Sequence, residues 1–277
     1  MIKKHITTGI HCLLLFVFSH FFNAVATAET ISELPVISII IDDLGSDNPR
    51  HERVVKLDGQ ITCAFLPLHT ATARLAKLAH QHNKEIMLHL PMESVARDPL
   101  GPGGLSLDMT EKQFIWAVEK NLASVPHVTG INNHMGSLLT RHPGHMLWLM
   151  NAIRDNGKLF FVDSRTTHES VAMMMAREHG VPSLQRDVFL DHDKSLQAVK
   201  LQFMKTIERA KLTGTAVAIG HPYANTLAVL EEMLPKLQNL GVRLVPISAM
   251  IDYKSMRTKT WQASLSRSHR AVKNSKQ

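Results

Sequence analysis

Residues 38–49 read SIIIDDLGSDNP and carry the signals on which the fold assignment rests. The small and apolar residues before Asp42 predict a buried strand, and Asn48 followed by Pro49 is typical of a helix start. Between these signals lie two adjacent carboxylates, Asp42 and Asp43. Neighbouring carboxylates repel each other and are costly to desolvate. Their position therefore indicates either an acidic loop start or a site that uses both groups.

The succession of a strand signal and a helix signal recurs along the chain. Strands are predicted at Val36–Ile41, Ile61–Phe65, Glu85–His89, Val128–Asn132, Leu159–Val162, near Ser183, Thr215–Ile219 and Arg243–Pro246. Thr110 and Gln113 have the spacing of a capping box before one of the helices. Such alternation predicts an α/β protein with a parallel sheet covered by helices. Seven or eight units favour a deformed single-domain (β/α) barrel of seven to eight parallel strands over an open sheet.

Polar side chains follow six of the predicted strands. They are Asp42 and Asp43; His89 and Glu93; Asn132, Asn133 and His134; Asp163 and Arg165; Arg186, Asp187 and Asp191; and His221 and Tyr223. In β/α barrels the active site lies at the carboxyl ends of the strands. One such residue is weak evidence, but six polar strand ends on one rim favour a functional site. They therefore favour a site that uses both Asp42 and Asp43 over an acidic loop start.

The residue types on this rim suit zinc or a similar divalent metal ion. Carboxylate and imidazole groups are its common ligands, and an open coordination position activates water. We assign Asp43, His89 and His134 as the metal ligands, with Glu93 as an alternative ligand. The sequence contains no nucleophile elbow and no nucleotide-binding glycine motif.

The other rim residues are assigned catalytic or supporting roles. Asp42 is the expected general base and His221 the expected general acid. Five residues are expected to bind substrate or orient the site: Asn133, Asp163, Arg165, Arg186 and Asp187. Each of the five has a structural alternative, because the two Asp–Arg combinations can be salt bridges and the asparagine can cap a loop.

The amino-terminal residues predict export. Residues 1–28 combine Lys3 and Lys4 with an apolar run and small residues at positions 24–28, which is the pattern of a secretory signal peptide. An uncleaved membrane anchor is the alternative. Without this segment the chain keeps Cys63 alone, so no internal disulfide can form. We expect a periplasmic protein whose barrel spans residues 29–253.

The net charge of +7 is concentrated at the ends of the chain. Residues 254–277 contain seven Lys and Arg residues and no acid, and they are expected to form a disordered tail. Such a tail can make weak contact with a membrane or with cell-wall polymer. The remaining body is slightly acidic, and aromatic residues make up only 5% of the chain, which argues against a nucleic-acid-binding function.

Six segments between Leu34 and Tyr253 carry a resemblance to a known family. They read IDDLG, HLPME, NNHMGS, FVDSRT, RDVFLD and AIGHP. As an ordered set they resemble the divergent polysaccharide deacetylases, a distant branch of the polysaccharide deacetylases. The resemblance implies the deformed β/α barrel of that superfamily and a glycan partner, such as a peptidoglycan-type polysaccharide.

The resemblance also implies roles for individual residues. The T-F-D-D motif of the wider superfamily, which supplies a base and a metal ligand, falls on Asp42 and Asp43. The H-x-x-x-H motif falls on His89, and Glu93 stands where its second histidine would be. The late L-x-H motif supplies the acid and falls on His221. The R-P-P-Y motif is replaced by INNHMG, whose histidine, His134, can supply the missing ligand.

Three functions are compatible with these residues. The first is a metal-dependent hydrolase that deacetylates an N-acetylated envelope polysaccharide. The second is a catalytically degenerate deacetylase fold that binds glycan or an envelope partner, which the loss of the second motif histidine favours. The third is another metal hydrolase, such as a phosphodiesterase. Bound metal together with acetate release separates the first from the other two.

Overall fold

Strands and helices alternate along the whole of the chain that the computed structural model describes, residues 34–259. The strands are β1 (Val36–Leu44), β2 (Thr62–Phe65), β3 (Glu85–Met92), β4 (Gly130–Met135), β5 (Phe160–Asp163), β6 (Ser183–Gln185), β7 (Val188–Phe189), β8 (Thr215–Gly220) and β9 (Arg243–Leu244). The helices are α1 (Pro49–Val55), α2 (Thr72–Gln81), α3 (Glu111–Ser124), α4 (Pro143–Asp155), α5 (Ala172–Glu178), α6 (Leu196–Thr213), α7 (Ala224–Met233) and α8 (247–259). Short 3-10 helices occupy Leu139–Arg141 and Leu234–Lys236.

The strands form one parallel sheet that curls into an incompletely closed barrel. Their order is β6-β5-β4-β3-β2-β1-β8-β7, and β9 pairs with the start of β1. The edge strands β6 and β7 are joined by only Arg186 and Asp187, so the two edges of the sheet lie close together. Arg186 N donates to Asp163 O at the end of β5, and Asp187 N donates to Val217 O in β8. The predicted deformed barrel is therefore confirmed.

Two apolar layers lie on the two faces of the sheet. The larger one packs the outer face of the strands against the helices and includes Phe65, Phe114 and Phe203. The smaller one fills the barrel and includes Ile40, Met87 and Val217 from alternate positions on their strands. Continuous apolar strands are expected where a parallel sheet is buried on both faces.

Helix α8 packs against the layer inside the barrel. Ile247 and Met250 of this helix belong to the inner apolar cluster. The Glu85 carboxylate, at the start of β3, accepts hydrogen bonds from Ile247 N at 2.7 Å and Ser248 N at 3.1 Å. A carboxylate at a helix N-terminus is stabilising, because it satisfies free N–H groups and complements the helix dipole. Helix α8 therefore covers the amino ends of the strands, and the polar side chains lie at the opposite, carboxyl ends.

The end of α8 differs from the predicted domain boundary. Residues 254–259, which the sequence assigns to the disordered tail, are helical. The rest of that tail and the predicted signal peptide lie outside the described residues. Within residues 34–259, no helix has the length and apolar composition needed to cross a membrane.

Two helix starts agree with their sequence signals. Asn48 Oδ1 accepts a hydrogen bond from Arg50 N at 3.0 Å, with Pro49 at the first position of α1. The capping box of α3 is formed, since Gln113 N donates to Thr110 Oγ1 and Thr110 N donates to Gln113 Oε1. These caps fix where α1 and α3 begin.

The first strand is longer than predicted and irregular at its end. It runs to Leu44, and its pairing with β2 shifts register between Ile41 and Leu44. Asp43 has a φ of 58°, in the left-handed region that few residues other than glycine adopt. Successive side chains on a regular strand point to opposite faces. The irregularity allows Asp42 and Asp43 to approach the same site.

Gly45 completes this bend, with a φ of 135°. A Cβ atom at this position would lie 2.5 Å from Thr72 Oγ1, which is held by its hydrogen bond to Leu66 O. We expect Gly45→Ala to lower the free energy of unfolding by about 1–3 kcal/mol, because it combines a disfavoured φ with a steric overlap. Chemical denaturation followed by circular dichroism measures the change.

Gly144 provides the matched control for this substitution. It lies in the first turn of α4, and a Cβ atom there would meet no heavy atom within 4 Å. Gly144→Ala is expected to leave stability unchanged or to raise it by up to about 1 kcal/mol, because alanine favours helices. Equal effects of the two substitutions would contradict the explanation of Gly45.

Candidate metal centre and active site

Three predicted metal ligands converge at the carboxyl ends of β1, β3 and β4. Asp43 Oδ1 lies 3.3 Å from His89 Nε2 and 3.0 Å from His134 Nδ1. The two imidazole nitrogens are 3.1 Å apart. Ligand atoms of a tetrahedral zinc site with bonds of about 2.0–2.1 Å are separated by about 3.3 Å. The three atoms are therefore spaced as the ligands of one small ion would be.

The chemistry of the cluster also fits a divalent ion. Asp43 Oδ1 is buried and has no partner with hydrogen-bond geometry among the described residues, although both imidazoles are close to it. A buried carboxylate oxygen without a hydrogen bond is costly unless a cation satisfies it. No other group of three potential ligands converges in this way within residues 34–259. One carboxylate and two imidazoles form a donor set suited to zinc or a similar ion.

Asn132 holds the cluster and the predicted base together. Its Nδ2 donates to Asp42 Oδ1 at 2.8 Å, so its Oδ1 faces His89 Nδ1 at 2.9 Å. The Nδ1 atom of His89 must then carry a proton, which leaves Nε2 as the atom that can bind a metal. Asn132 Nδ2 also lies 3.3 Å from Ser164 Oγ at the end of β5. One buried amide thus fixes the orientation of both a ligand and the base.

The sequence analysis placed Asn132 on the rim but gave it no role. One feature of the sequence could have identified it, and one feature of the structure explains its position. It lies two residues before His134, so the two side chains share one face of β4. It is also the register partner of His89 on the neighbouring strand, which the sequence alone does not show.

The two carboxylates have opposite pKa shifts. Burial raises the pKa of Asp42, although His89, His221 and Asn132 oppose this effect. Burial also acts to raise the pKa of Asp43, but the contacts with the His134 and His89 imidazoles outweigh it and the pKa lies below its usual value. Asp43 is therefore ionised, as a metal ligand must be.

His89 lies between the two carboxylates. Its Nδ1 is 3.6 Å from Asp42 Oδ1, and its Nε2 is 3.3 Å from Asp43 Oδ1. Burial alone would lower the pKa of His89, but the charges of the two aspartates raise it to about 9. A metal ion bound at Nε2 would replace the proton at that atom, so binding should release a proton.

The predicted acid, His221, is oriented by a buried carboxylate. Its Nδ1 lies 2.9 Å from Asp191 Oδ1, and its backbone N donates to Asp191 Oδ2 at 2.6 Å. Thr226 Oγ1 donates to the same Oδ2 at 2.7 Å. With Nδ1 engaged, Nε2 is directed to the cluster and lies 3.8 Å from Asp43 Oδ2.

The contact with Asp191 also sets the charge of His221. Burial acts to lower the pKa of His221, but the Asp191 hydrogen bond and the nearby Asp42 charge raise it above its usual value. This imidazole therefore holds its proton to higher pH than a free histidine. Asp191 was not assigned to the site from the sequence, although its acidic side chain was noted on the rim.

A cavity of about 440 Å³ connects these groups. Asp42, His89, His134 and His221 all line it. The predicted base, two of the predicted metal ligands and the predicted acid are thus accessible from one space. Such an arrangement can hold a metal, accept a proton and donate a proton to the same bound molecule.

The remaining predicted residues divide into two groups. Arg165, Arg186 and Asn133 line the cavity. Asn133 also has a structural role, because its Nδ2 donates to Met135 O and its Oδ1 accepts from Ser164 N. It joins the end of β4 to the end of β5.

Two of the predicted acidic residues, Asp163 and Asp187, do not line the cavity. Asp163 accepts from Arg165 N and Ser170 Oγ, and Asp187 accepts from Val217 N and pairs with Arg209 at 2.8 Å. The two alternative salt bridges, Asp163 with Arg165 and Asp187 with Arg186, are not formed, because each carboxylate binds other groups.

Glu93, the alternative ligand, is not brought to the cluster. Its carboxylate accepts a hydrogen bond from Leu107 N at 2.8 Å. Its backbone oxygen accepts from Leu138 N and Leu139 N. Glu93 therefore connects the loop before α3 to the turn after β4.

The chain has relatives and structural neighbours. Residues 39–251 match the family model for divergent polysaccharide deacetylases. An uncharacterized protein of Haemophilus influenzae is 37% identical over 201 residues, which is 73% of this chain and 71% of that protein. The Escherichia coli K12 protein YibQ is 32% identical over 224 residues, which is 81% of this chain and 70% of that protein.

Two solved structures share the fold. An uncharacterized protein from Agrobacterium tumefaciens C58 has a TM-score of 0.74 at 20% identity, covering 78% of this chain and 89% of that one. The peptidoglycan deacetylase PdaC from Bacillus subtilis has a TM-score of 0.52 at 12% identity, covering 84% of this chain and 98% of that one. At these identities the comparison establishes the architecture alone.

The metal cluster generates a direct prediction. Purified protein should bind one divalent ion per chain, and His89→Ala or His134→Ala should weaken binding by more than about 100-fold, since even indirect ligand contacts are worth 10–100-fold. Glu93→Gln and His221→Ala should retain the ion, because neither side chain supplies a ligand. Metal content by mass spectrometry after dialysis measures this. Equal metal content in His89→Ala and Glu93→Gln would contradict the assignment.

Proposed function

The chain belongs to the divergent polysaccharide deacetylase family, and we propose that it is a metal-dependent hydrolase that removes acetyl groups from an N-acetylated envelope polysaccharide. One observation carries the proposal. Asp42 and His221 line the same cavity as the His89 and His134 side chains that converge on Asp43. A base, an acid and a metal-ligand cluster around one space are what amide hydrolysis requires.

Zinc is the proposed ion, held by Asp43, His89 and His134. An ion at this position supplies Lewis-acid chemistry, which polarises a carbonyl and makes water more acidic. Asn132 supports the ligand set by holding His89 Nδ1, a contact of the type that raises ligand basicity.

The proton transfers are assigned to Asp42 and His221. Asp42 accepts a proton from the water that attacks the acetyl carbonyl carbon. His221 then donates its Nε2 proton to the amide nitrogen as the carbon–nitrogen bond breaks, which yields acetate and a free amine. Asp191 maintains the orientation of the imidazole and stabilises its charged form through the contact at Nδ1.

Asp42→Asn tests the assignment of the base. The variant should retain metal and glycan binding, because the amide is similar in size and Asp42 is not a proposed ligand. Acetate release should fall by about 10²–10⁴-fold, the usual contribution of a positioned base. Acetate is measured on metal-loaded protein with N-acetylglucosamine oligomers and peptidoglycan fragments as substrates.

Asp43→Asn is the companion variant, and it should lose the metal first and activity as a consequence. The contrary outcome is a wild-type protein that carries metal and binds glycan yet releases no acetate, with Asp42→Asn behaving identically. That result would contradict the enzyme and favour a glycan-binding module. Hydrolysis of a phosphodiester in place of acetate release would favour the third function.

We also propose that the protein is exported to the periplasm through residues 1–28. The support is the basic start, apolar run and small residues of that segment. The basic residues near the carboxyl terminus favour weak contact with anionic lipid or cell-wall polymer. Cell fractionation with amino-terminal sequencing should find a periplasmic chain that begins near residue 29. An intact Met1 on a membrane-integrated chain would refute the proposal.

A further inference from the structure

The cavity extends beyond the catalytic groups along the ends of β4, β5 and β7. This part of its lining includes Arg165, Arg186, Phe189 and His192. This part contains two guanidinium groups and no carboxylate among the described residues. Within residues 34–259, Asp42 is the one Asp or Glu in the lining of the whole cavity. The part of the cavity beyond the proposed base and acid is therefore lined by positively charged side chains.

Neither guanidinium group is in direct contact with a carboxylate, although Asp163, Asp42 and Asp187 are near enough to act on the charge of Arg186. Within residues 34–259, the ion pairs closer than 4.0 Å do not include Arg165 or Arg186. The nearest acids in sequence are engaged elsewhere. Asp163 binds Arg165 N and Ser170, and Asp187 binds Arg209 and Val217 N.

Arg186 is held in place by uncharged groups. Its Nε donates to Ser164 O at 2.6 Å and its Nη2 donates to Arg165 O at 2.8 Å. Its Cζ lies 5.0 Å from the centroid of the Phe189 ring. Burial lowers the pKa of Arg186, which indicates that its charge is partly removed from water. A partly desolvated charge attracts an anion more strongly than an exposed one does.

Arg165 is less constrained. Its guanidinium group has one long contact, at 3.4 Å from Nη1 to Gln185 Oε1. Its backbone has a φ of 52°, which turns the chain at the end of β5. The group can therefore adjust to a ligand while Arg186 stays fixed.

The two arginines are connected to the catalytic groups through Ser164. The carbonyl of Ser164 binds Arg186, and its hydroxyl lies 3.3 Å from Asn132 Nδ2, which binds Asp42. The positive part of the cavity is thus one residue away from the amide that orients the base.

We propose that Arg165 and Arg186 form a subsite for an anionic substituent of the glycan, so that the preferred substrate is an acidic N-acetylated sugar with a carboxylate close to its acetamido group. Guanidinium groups bind carboxylates through short, often bidentate hydrogen bonds between two charged groups, which are stronger than their hydrogen bonds to a neutral sugar. The inference rests on the proposed function, since it names the substrate class of the same site.

The first test is a binding comparison with full-length, metal-loaded protein. The probes are a disaccharide that contains N-acetylmuramic acid and the methyl ester of the same disaccharide, which lacks the negative charge. Isothermal titration calorimetry should show at least about tenfold tighter binding of the acid, a typical effect of one charge-assisted contact. The preference should decrease with added salt.

Variants connect this preference to the two arginines. Arg165→Gln and Arg186→Gln should each bring the acid close to the affinity of the ester and leave the ester affinity unchanged. Arg186→Lys should retain part of the preference, and it guards against misfolding of the glutamine variant. Arg154→Gln is the matched control, because Arg154 lies on the exposed side of α4 outside the cavity lining.

Equal binding of acid and ester, or a preference that survives both glutamine variants, would overturn the subsite. A phosphorylated N-acetylglucosamine serves as a third probe. If it binds more tightly than the carboxylate and both variants remove that advantage, the subsite stands with a phosphate ester as its anion.

Acetate release separates this inference from the proposed function. Acid preference in binding without acetate release from any substrate would contradict the proposed hydrolase and leave the subsite intact. Equal rates of acetate release from the acid and the ester, with equal affinities, would support the hydrolase and contradict the subsite.

Discussion

The site depends on one constraint, which is that two adjacent carboxylates must face the same imidazole. On a regular strand Asp42 and Asp43 would point to opposite faces of the sheet. The irregular end of β1 and the φ of 58° at Asp43 remove this alternation, and His89 then lies between the two groups. Left-handed backbone at a residue other than glycine is uncommon and often marks functional sites. The strain at the end of β1 is therefore part of how the site is built.

Asn132 is the residue that distinguishes the surroundings of Asp42 from those of Asp43. Because the amide donates to Asp42 and accepts from His89, it gives the two aspartates different surroundings. Asp42 is buried beside a neutral hydrogen-bond donor, whereas Asp43 faces two imidazole nitrogens. The environments push the two pKa values in opposite directions, which suits the proposed roles of Asp42 as proton acceptor and Asp43 as metal ligand.

Much of this arrangement could be predicted from the sequence, and the limits have physical causes. The β/α alternation and the polar strand ends are periodic or positional signals. They therefore predicted the barrel and the convergence of Asp43, His89 and His134. Asn132 and Asp191 act through contacts between strands, and these depend on a register that a single sequence does not encode. The Asp–Arg salt bridges considered as the structural alternative do not form, because backbone N–H groups and a distant arginine, Arg209, bind the same carboxylates.

The position of His134, the third proposed ligand, bears on the role of Glu93. In the motif that the sequence resembles, residue 93 would be the second histidine, just after β3, but here His134 on β4 lies beside Asp43 and His89. β3 and β4 are hydrogen-bonded neighbours, and their register places His134 beside Pro91, so the donor atom can change strands without moving the site. Glu93 is then free to bind Leu107 N, while its backbone oxygen holds the turn after β4. With His134 as the proposed third ligand, residue 93 instead connects the loop before α3 to the two strands that carry His89 and His134.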